Sequence, residues 1–221
     1  MAGFSRDELI DIYRKRAKHY DLYDKFFQMI GFPHRKRAIR ALNLQRGDTV
    51  VEIGCGTGLN FPLLQEVIGP EGTIIGVDLT AAMLEQARQR VRVHSWPNVR
   101  LVHSDAATFT FPSSVEGIIS TFALTLVPEF DQVILNGCRA LTPGKRWTVT
   151  DLKMPSNPLI VKLVVPVLAA ILLRPFGGTV EMANRHPWES MQKYLQNVEM
   201  SEYWGGMIYI AVGERRETGC G

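Results

Sequence analysis

Apolar segments alternate with helical segments through the middle of the chain, and this alternation limits the fold more than any other feature. Met83, Ala87 and Val91 repeat at the spacing of a helix that packs along one side. The strand-like segments are residues 49–54, 72–79, 99–105, 117–122 and 146–152. Buried strands that alternate with helices form a parallel sheet covered on both faces. The sequence therefore predicts an α/β fold with a doubly wound sheet.

The end of the chain departs from this alternation. Residues 186–196 have a helical pattern, and two strand-like segments follow at 198–204 and 207–214. Only Gly205 and Gly206 separate the two segments, and a parallel crossover needs a dozen or more residues. We therefore expect an antiparallel pair, and one domain for the whole chain of 221 residues.

The N-terminal segment is basic and helical in pattern. Ser5 and Glu8 form a capping-box motif that opens a helix to about Ile30, and a second helix is predicted from His34 to about Leu44. Residues 1–46 carry 11 Lys and Arg against 5 Asp and Glu, while the net charge of the whole chain is only +3. Such a segment attracts phosphates of lipids or nucleic acids, or is simply a solvated helix face.

The cysteines and histidines are scattered. Cys55, Cys138 and Cys220 have no disulfide-framework or metal-pair spacing, so we predict no disulfides and a reducing compartment. The five histidines are also dispersed. We therefore expect no metal site.

Glycines and acids follow the first three strand segments. The stretch VVEIGCGTG places Gly54, Gly56 and Gly58 in a turn, Asp78 ends the second strand segment, and Asp105 ends the third. Ligands of doubly wound sheets bind at the carboxyl ends of the strands, where glycines allow close approach and a carboxylate can accept bonds from ribose hydroxyls. Dinucleotide enzymes use a similar turn, although their usual spacing is GxGxxG. A nucleoside-containing ligand is the prediction.

Four motifs resemble those of a known family. VVEIGCGTG, GVDLT, SDAATF and CRALTPGKRWTVTD are similar, in this order, to the motifs of class I S-adenosylmethionine-dependent methyltransferases. The resemblance covers roughly residues 10–214. It implies a doubly wound, seven-stranded Rossmann-like methyltransferase sheet with an antiparallel last strand, an N-terminal helical cap, and S-adenosylmethionine as cofactor. The chain differs from the frequent PGG pattern at Lys145.

The resemblance also implies a set of cofactor contacts. Gly54, Gly56 and Gly58 would line the methionine part of the cofactor, Glu52 would support their turn, and Asp78 would hold the ribose. Leu79 and Met83 would flank the adenine, and Asp105 with Ala106 would bind its edge. Ser120 and Thr121 would offer backbone carbonyls to the cofactor's amino group.

Two segments bear on the methyl acceptor. AKHYDLYDKFF resembles the entry helix of small methyltransferases that act on lipids and prenylated quinones, which makes Tyr13, His19, Tyr20 and Tyr23 candidates for aligning the substrate, unless they only pack on the sheet. Residues 159–173 are almost entirely apolar but, at 15 residues, shorter than the roughly 20 that span a bilayer. Such a helix is buried, binds an apolar ligand, or contacts a membrane.

These observations favour an amphiphilic substrate presented at a membrane surface. Overall the chain resembles phospholipid and betaine-lipid N-methyltransferases first and ubiquinone and menaquinone C-methyltransferases second, which implies N-methylation of an amine on a phospholipid or betaine-lipid head group. C-methylation of a prenylated quinone precursor, methylation of a soluble small molecule, and a non-catalytic cofactor-binding scaffold stay open. We expect a cytoplasmic protein, with peripheral membrane contact as an open alternative and no nucleic-acid partner. The predicted parts are a cap, a cofactor-binding core, a substrate-side insertion and a final strand pair, at residues 1–46, 47–152, 153–197 and 198–214.

Overall fold

A computed structural model describes residues 5–20, 33–163, 165–168 and 184–220 of the chain. Its strands are β1 (Thr49–Ile53), β2 (Thr73–Asp78), β3 (Val99–His103), β4 (Val115–Thr121), β5 (Leu141–Leu152), β6 (Gln196–Tyr203) and β7 (Ile208–Glu214). They form one sheet in the order β3-β2-β1-β4-β5-β7-β6. The first five strands are parallel, and β7 is antiparallel to both β5 and β6. The predicted strands and the antiparallel end of the sheet are confirmed.

Eight α-helices lie around this sheet in the described part of the chain. They are α1 (Arg6–Arg16), α2 (33–41), α3 (Phe61–Ile68), α4 (Ala81–Val93), α5 (Phe130–Ala140), α6 (Pro158–Leu163), α7 (Val165–Leu168) and α8 (Pro187–Tyr194). The capping box of α1 is confirmed, because the Glu8 amide donates to Ser5 Oγ and the Ser5 amide donates to Glu8 Oε2. The part of the predicted first helix that falls at residues 21–30 lies outside the described residues.

Both faces of the sheet are covered, as a doubly wound sheet requires. On one face, Val133 of α5 and Met191 of α8 pack with Trp147 of β5. On the other face, Leu42 and Phe61 pack with β1 and β2 residues such as Val50 and Ile74. Burial of these side chains removes apolar surface from water, which is the main stabilising contribution to such a fold. The sheet therefore presents its strand ends as a rigid edge.

Two local features differ from what their residue types suggest. The stretch TPGK at residues 142–145 has the composition of a turn, but β5 already begins at Leu141, and the Gly144 amide donates to the Arg215 carbonyl of the C-terminal segment. Thr80 is a residue type that often caps helices and occupies the cap position of α4, yet its hydroxyl makes no capping bond. The Asp78 carboxylate accepts from the Thr80 amide instead.

The apolar run at residues 159–173 is partly exposed where the structure describes it. Leu159, Leu163 and Val167 are 66%, 65% and 57% exposed on α6 and α7. None of the helices in the described ranges combines the length and the apolar content needed to cross a bilayer. The described part of this run is therefore not buried in the core. The interpretation in which the run closes the core of the domain does not hold for these residues. Residues 169–173 lie outside the described residues.

A disulfide bond joins Cys138 of α5 to Cys220, which overturns the prediction that the cysteines are all unpaired. The two residues are 82 positions apart, so their pairing depends on how the C-terminal segment packs and cannot be inferred from spacing. Cys55 is free and buried. Burial raises the pKa of the Cys55 thiol well above its ordinary value.

The disulfide can be tested by counting thiols. In denaturant without reductant, the protein should have one thiol that reacts with a colorimetric reagent, and after reduction it should have three. A Cys220→Ser variant should have two thiols under both conditions, since its Cys138 loses its partner. Three reactive thiols in the unreduced parent protein would show that the bond does not form.

Candidate functional site

A cleft of about 1030 Å³ opens at the carboxyl ends of the parallel strands. It lies where the strand order reverses between β1 and β4, which is the usual ligand position in such sheets. Its lining includes residues that follow β1, β2, β3 and β4, together with residues of α1 and α2. The topology therefore brings the sequence motifs to one place.

The glycine turn after β1 forms one wall of the cleft. Gly54, Gly56 and Gly58 all have positive φ angles, which disfavour residues with a side chain. A Cβ atom at Gly54 would lie 2.3 Å from Ala123 Cβ, and one at Gly56 would lie 3.3 Å from Met83 Cε. Gly54 and Gly56 line the cleft, as predicted.

Gly58 does not line the cleft. A Cβ atom there would lie 2.5 Å from the Phe61 ring, so this glycine lets the first turn of α3 pack tightly against the loop. The structure thus places Gly58 in a packing position, whereas the sequence motif had placed it against the ligand.

Asp78 lies at the end of β2 and lines the cleft. Its Oδ2 accepts a 2.8 Å hydrogen bond from the Gly56 amide, and its Oδ1 accepts a 2.8 Å hydrogen bond from the Thr80 amide. Burial raises the pKa of this carboxyl, while the two amide bonds act in the opposite direction. Each carboxylate oxygen keeps capacity for a further bond. Asp78 therefore connects the glycine turn to α4 and can still accept bonds from a ligand.

A second acid and three apolar residues lie further along the cleft. Leu79, Met83, Asp105 and Ala106 all line it, as predicted. Asp105 Oδ1 accepts from the Ala107 amide at 2.9 Å, and Asp105 Oδ2 lies 3.0 Å from Arg6 Nε. A ligand that used the Asp105 carboxylate would therefore share it with Arg6.

The end of β4 also meets the cleft. Ser120 is fully buried and is not part of the lining, whereas Thr121 and Phe122 are. Phe122 has a positive φ angle, and its amide donates to the Thr150 carbonyl of β5 at 2.7 Å. The chain thus turns sharply after Thr121 and exposes a different pair of residues to a ligand.

A buried polar network lies beneath the glycine turn. Glu52 Oε1 accepts from Asn60 Nδ2 at 2.7 Å, and the same nitrogen donates to Thr121 Oγ1 at 3.0 Å. Arg35 donates from Nη1 to both Asn60 Oδ1 and Thr121 Oγ1. Burial raises the pKa of Glu52 to about 8, although the Arg35 charge and the Asn60 bond lower it.

Arg35 is the cleft residue that the sequence interpretation missed. It lies on α2 at helical spacing from Ala38, Ile39 and Leu42, which are buried. An arginine on the apolar side of an amphipathic helix was the available signal. It was hidden by the general excess of basic residues in the segment, which suggested a solvated face.

Helix α1 contributes Arg6, Leu9 and Tyr13 to the lining, and Tyr20 follows it. The Tyr13 and Tyr20 ring centroids are 6.3 Å apart, and burial raises the pKa of the Tyr13 phenol well above its ordinary value. Tyr13 therefore keeps its proton near neutral pH and can donate a hydrogen bond. The other two cap candidates, the His19 side chain and Tyr23, fall outside the described residues.

Comparison with known proteins identifies the domain. Residues 50–144 match the family model described as methyltransferase domain. Residues 50–144 belong to the methyltransferase domain family. The sheet order, the antiparallel end and the cleft at the β1/β4 reversal agree with the class I S-adenosylmethionine-dependent methyltransferase fold that the motifs implied.

Relatives of the methyltransferase domain carry related names. The chain is 32% identical over 141 residues to a demethylmenaquinone methyltransferase from Listeria welshimeri, an alignment that covers 62% of this chain and 60% of that protein. It is 28% identical to a demethylmenaquinone methyltransferase from Geobacillus kaustophilus, over 96% of this chain and 99% of that protein. The first of these alignments thus spans about three fifths of the relative's length.

A solved structure shares the fold over most of the chain. It is a phosphoethanolamine N-methyltransferase 2 from Haemonchus contortus, in complex with phosphomonomethylethanolamine and S-adenosylhomocysteine. The TM-score is 0.71 at 14% identity, and the match covers 97% of this chain and 61% of that one. At this identity the likeness concerns the fold alone.

The residues of the cleft fit the cofactor of this fold. The glycine turn leaves space that a Cβ atom would fill, a buried carboxylate ends β2, and Leu79 and Met83 supply apolar surface beside it. These groups match a sulfonium chain, a ribose and an adenine respectively. S-adenosylmethionine is the cofactor of the methyltransferase domain. Within the described ranges, no three His, Cys, Asp or Glu side chains are grouped so as to hold a metal ion.

Proposed function

We propose that this chain transfers the methyl group of S-adenosylmethionine to a ring carbon of a demethylated, isoprenoid-tailed quinol. The observation that carries the methyltransferase assignment is the cleft itself, in which the glycine turn, Asp78 and Asp105 follow three strands of one sheet edge. The names of the relatives support the quinol as acceptor. This acceptor replaces the lipid amine as the first choice.

The proposed cofactor contacts follow the cleft from end to end. Asp78 would accept bonds from the ribose hydroxyls, and Gly54 and Gly56 would lie against the methionine part. Leu79 and Met83 would flank the adenine, whose edge would meet Asp105 and the Ala106 amide. Thr121 and Phe122, rather than Ser120, would offer the backbone carbonyls at the end of β4.

When bound, S-adenosylmethionine supplies a methyl group that its positive sulfur has already activated. The residues of the chain then have to align the acceptor and exclude water. Tyr13 and Tyr20 line the cleft from the side of α1. We assign them to covering the site and orienting the acceptor.

An exposed apolar surface supports an amphiphilic acceptor. We define this surface by Leu159, Leu163, Val167 and Trp204, each more than half exposed. Ile160 of α6 lies close to Gly205 in the turn between β6 and β7. The helix α6 therefore packs against the β6–β7 hairpin. Large exposed apolar side chains that cluster on a surface mark contact with a partner or a membrane, and the proposal treats these four as such a cluster. An isoprenoid tail in a membrane is the proposed partner of this surface.

N-methylation of a phospholipid or betaine-lipid head group is the second candidate. The same apolar surface favours it, because a lipid amine is also presented by a membrane. A cofactor-binding scaffold without activity is a third outcome of the test below.

The test uses radiolabelled S-adenosylmethionine and anionic vesicles that contain either a reduced demethylmenaquinone or phosphatidylethanolamine. We expect label on the quinol, at a ring carbon. Leu163→Asp should lower turnover of the vesicle-bound quinol at least tenfold and leave turnover of a short-tailed, water-soluble quinol unchanged. Val93→Asp is the matched control, because Val93 is 73% exposed at the end of α4, away from the strand ends that form the cleft.

The outcomes separate the candidates. Label on the lipid amine alone would replace the quinol by the second candidate. Binding of S-adenosylhomocysteine without transfer of label to either the quinol or phosphatidylethanolamine would favour the cofactor-binding scaffold. If Leu163→Asp and Val93→Asp behave alike, the apolar surface does not serve the acceptor.

A further inference from the structure

Arg35 is a buried cation in the wall of the cleft. Its exposed fraction is 8%, and its guanidinium carbon lies 5.4 Å from the centroid of the Phe122 ring. Its Nη1 donates to Asn60 and Thr121, which fixes the guanidinium beside the glycine turn. The side chain is thus held at the end of the cleft where the methionine part of the cofactor is proposed to lie.

No carboxylate of the described residues forms an ion pair with Arg35. The acid in its network, Glu52, is connected to it through Asn60 and has a pKa of about 8, so it is mostly protonated near neutral pH. A buried charge without a counter-charge is strongly unfavourable. An anion bound next to Arg35 would therefore stabilise this buried charge.

The other cation of the described lining is already neutralised. Arg6 lies 3.0 Å from Asp105 and 2.8 Å from Glu129, near the opposite end of the cleft. An anionic group that enters the cleft consequently meets an unpaired cation at one end and a paired one at the other.

We propose that Arg35 binds the carboxylate of the cofactor's amino-acid part and thereby sets the direction in which the cofactor lies. This inference rests on the proposed function, because it presupposes the same cofactor. The planar guanidinium carries donors that match a carboxylate with two parallel hydrogen bonds. Asn60 and Thr121 engage only Nη1, which leaves the other guanidinium nitrogens for the ligand. Arg35 would act as a binding residue and take no part in the chemical step.

The experiment measures coupling between Arg35 and the ligand carboxylate by calorimetry. The ligands are S-adenosylhomocysteine and its decarboxylated analogue, in which only the carboxylate is missing. Arg35→Gln should weaken S-adenosylhomocysteine ten- to hundredfold and the analogue less than twofold. Arg40→Gln, an exposed position on the same helix, should change neither affinity.

Each outcome has a defined meaning. Equal losses for both ligands would assign Arg35 a structural role and overturn the inference, as would an unchanged affinity for S-adenosylhomocysteine. If Arg35→Gln does not fold, the parent protein decides, since the analogue must then bind at least tenfold more weakly than S-adenosylhomocysteine. A parent protein that binds neither ligand overturns the proposed function as well, and this result is seen before any variant is compared.

Discussion

Gly56→Val should abolish measurable binding of S-adenosylhomocysteine, a loss of more than a hundredfold. Gly56 has a φ angle of +55°, which an L-residue adopts at a cost of about 1–2 kcal/mol, and the first atom of a side chain would already lie 3.3 Å from Met83 Cε. The two further carbons of valine would enter the cleft. The Gly56 amide also donates to Asp78, so a shift of the turn would move the proposed ribose contact.

Gly47→Val is the matched control for this substitution. Gly47 also has a positive φ angle, +88°, but a Cβ atom there meets nothing within 4 Å. It should share the backbone strain and keep full affinity, so that strain and occupation of the cleft are separated. Equal binding by the Gly56 variant and the parent would refute the position of the ligand. Tight NADH binding would favour a dinucleotide enzyme, the class that uses a similar glycine turn. Thermal unfolding of all three proteins shows whether they are folded.

Glu52→Gln should remove a pH dependence of the unfolding free energy. Glutamate in an unfolded chain has a pKa near 4.5, whereas burial raises that of Glu52 to about 8 in the folded state. The folded protein therefore holds a proton that the unfolded chain releases, and stability falls as pH rises from about 5 to 8. At about 1.4 kcal/mol for each pKa unit, the effect is on the order of 4 kcal/mol. Glutamine keeps the acceptor for Asn60 and carries no charge.

Urea unfolding between pH 5 and 8, without cofactor, measures this difference. The variant should be close to the parent at pH 5 and clearly more stable at pH 8. Asp78 and Asp151 also have raised pKa values because they are buried, so only the difference between the two proteins isolates Glu52. Glu199→Gln, exposed on β6, should follow the parent curve. A difference that does not change with pH would mean that Glu52 is ionised in the fold, and it would then neutralise Arg35.

The positions of the strand ends were predictable from the sequence, because the spacing of apolar residues and the composition of a short segment determine where a strand ends. Asp78 and Asp105 each lie at the end of an apolar run, and parallel strands bring their carboxyl ends to one edge. The motif order therefore located both acids at this edge, where they line the cleft, whereas Gly58 and Ser120 are not part of its lining. Which residues of a turn line the cleft depends on one or two residues of loop geometry, such as the packing of Phe61 against Gly58.

Contacts between distant parts of the chain were not predictable. Arg35 meets Thr121 across 86 positions, and Arg6 meets Asp105 across 99 positions, although each residue has an ordinary local context. The disulfide belongs to the same class, since it requires that the C-terminal segment pack beside α5. A pattern with the period of a helix or strand shows which residues are buried, and it carries no information about which distant residue they meet.

The bond between Cys138 and Cys220 closes a covalent ring around the second half of the molecule. This ring contains β5, β6 and β7 and the predicted substrate-side insertion. The glycine turn, Asp78 and Asp105 precede it in the chain. A protease that cuts the insertion would consequently leave two fragments that stay linked until a reductant is added. The insertion can thus be cleaved without release of β6 and β7 from the sheet, and the strands that carry the cofactor-binding residues stay in an intact sheet.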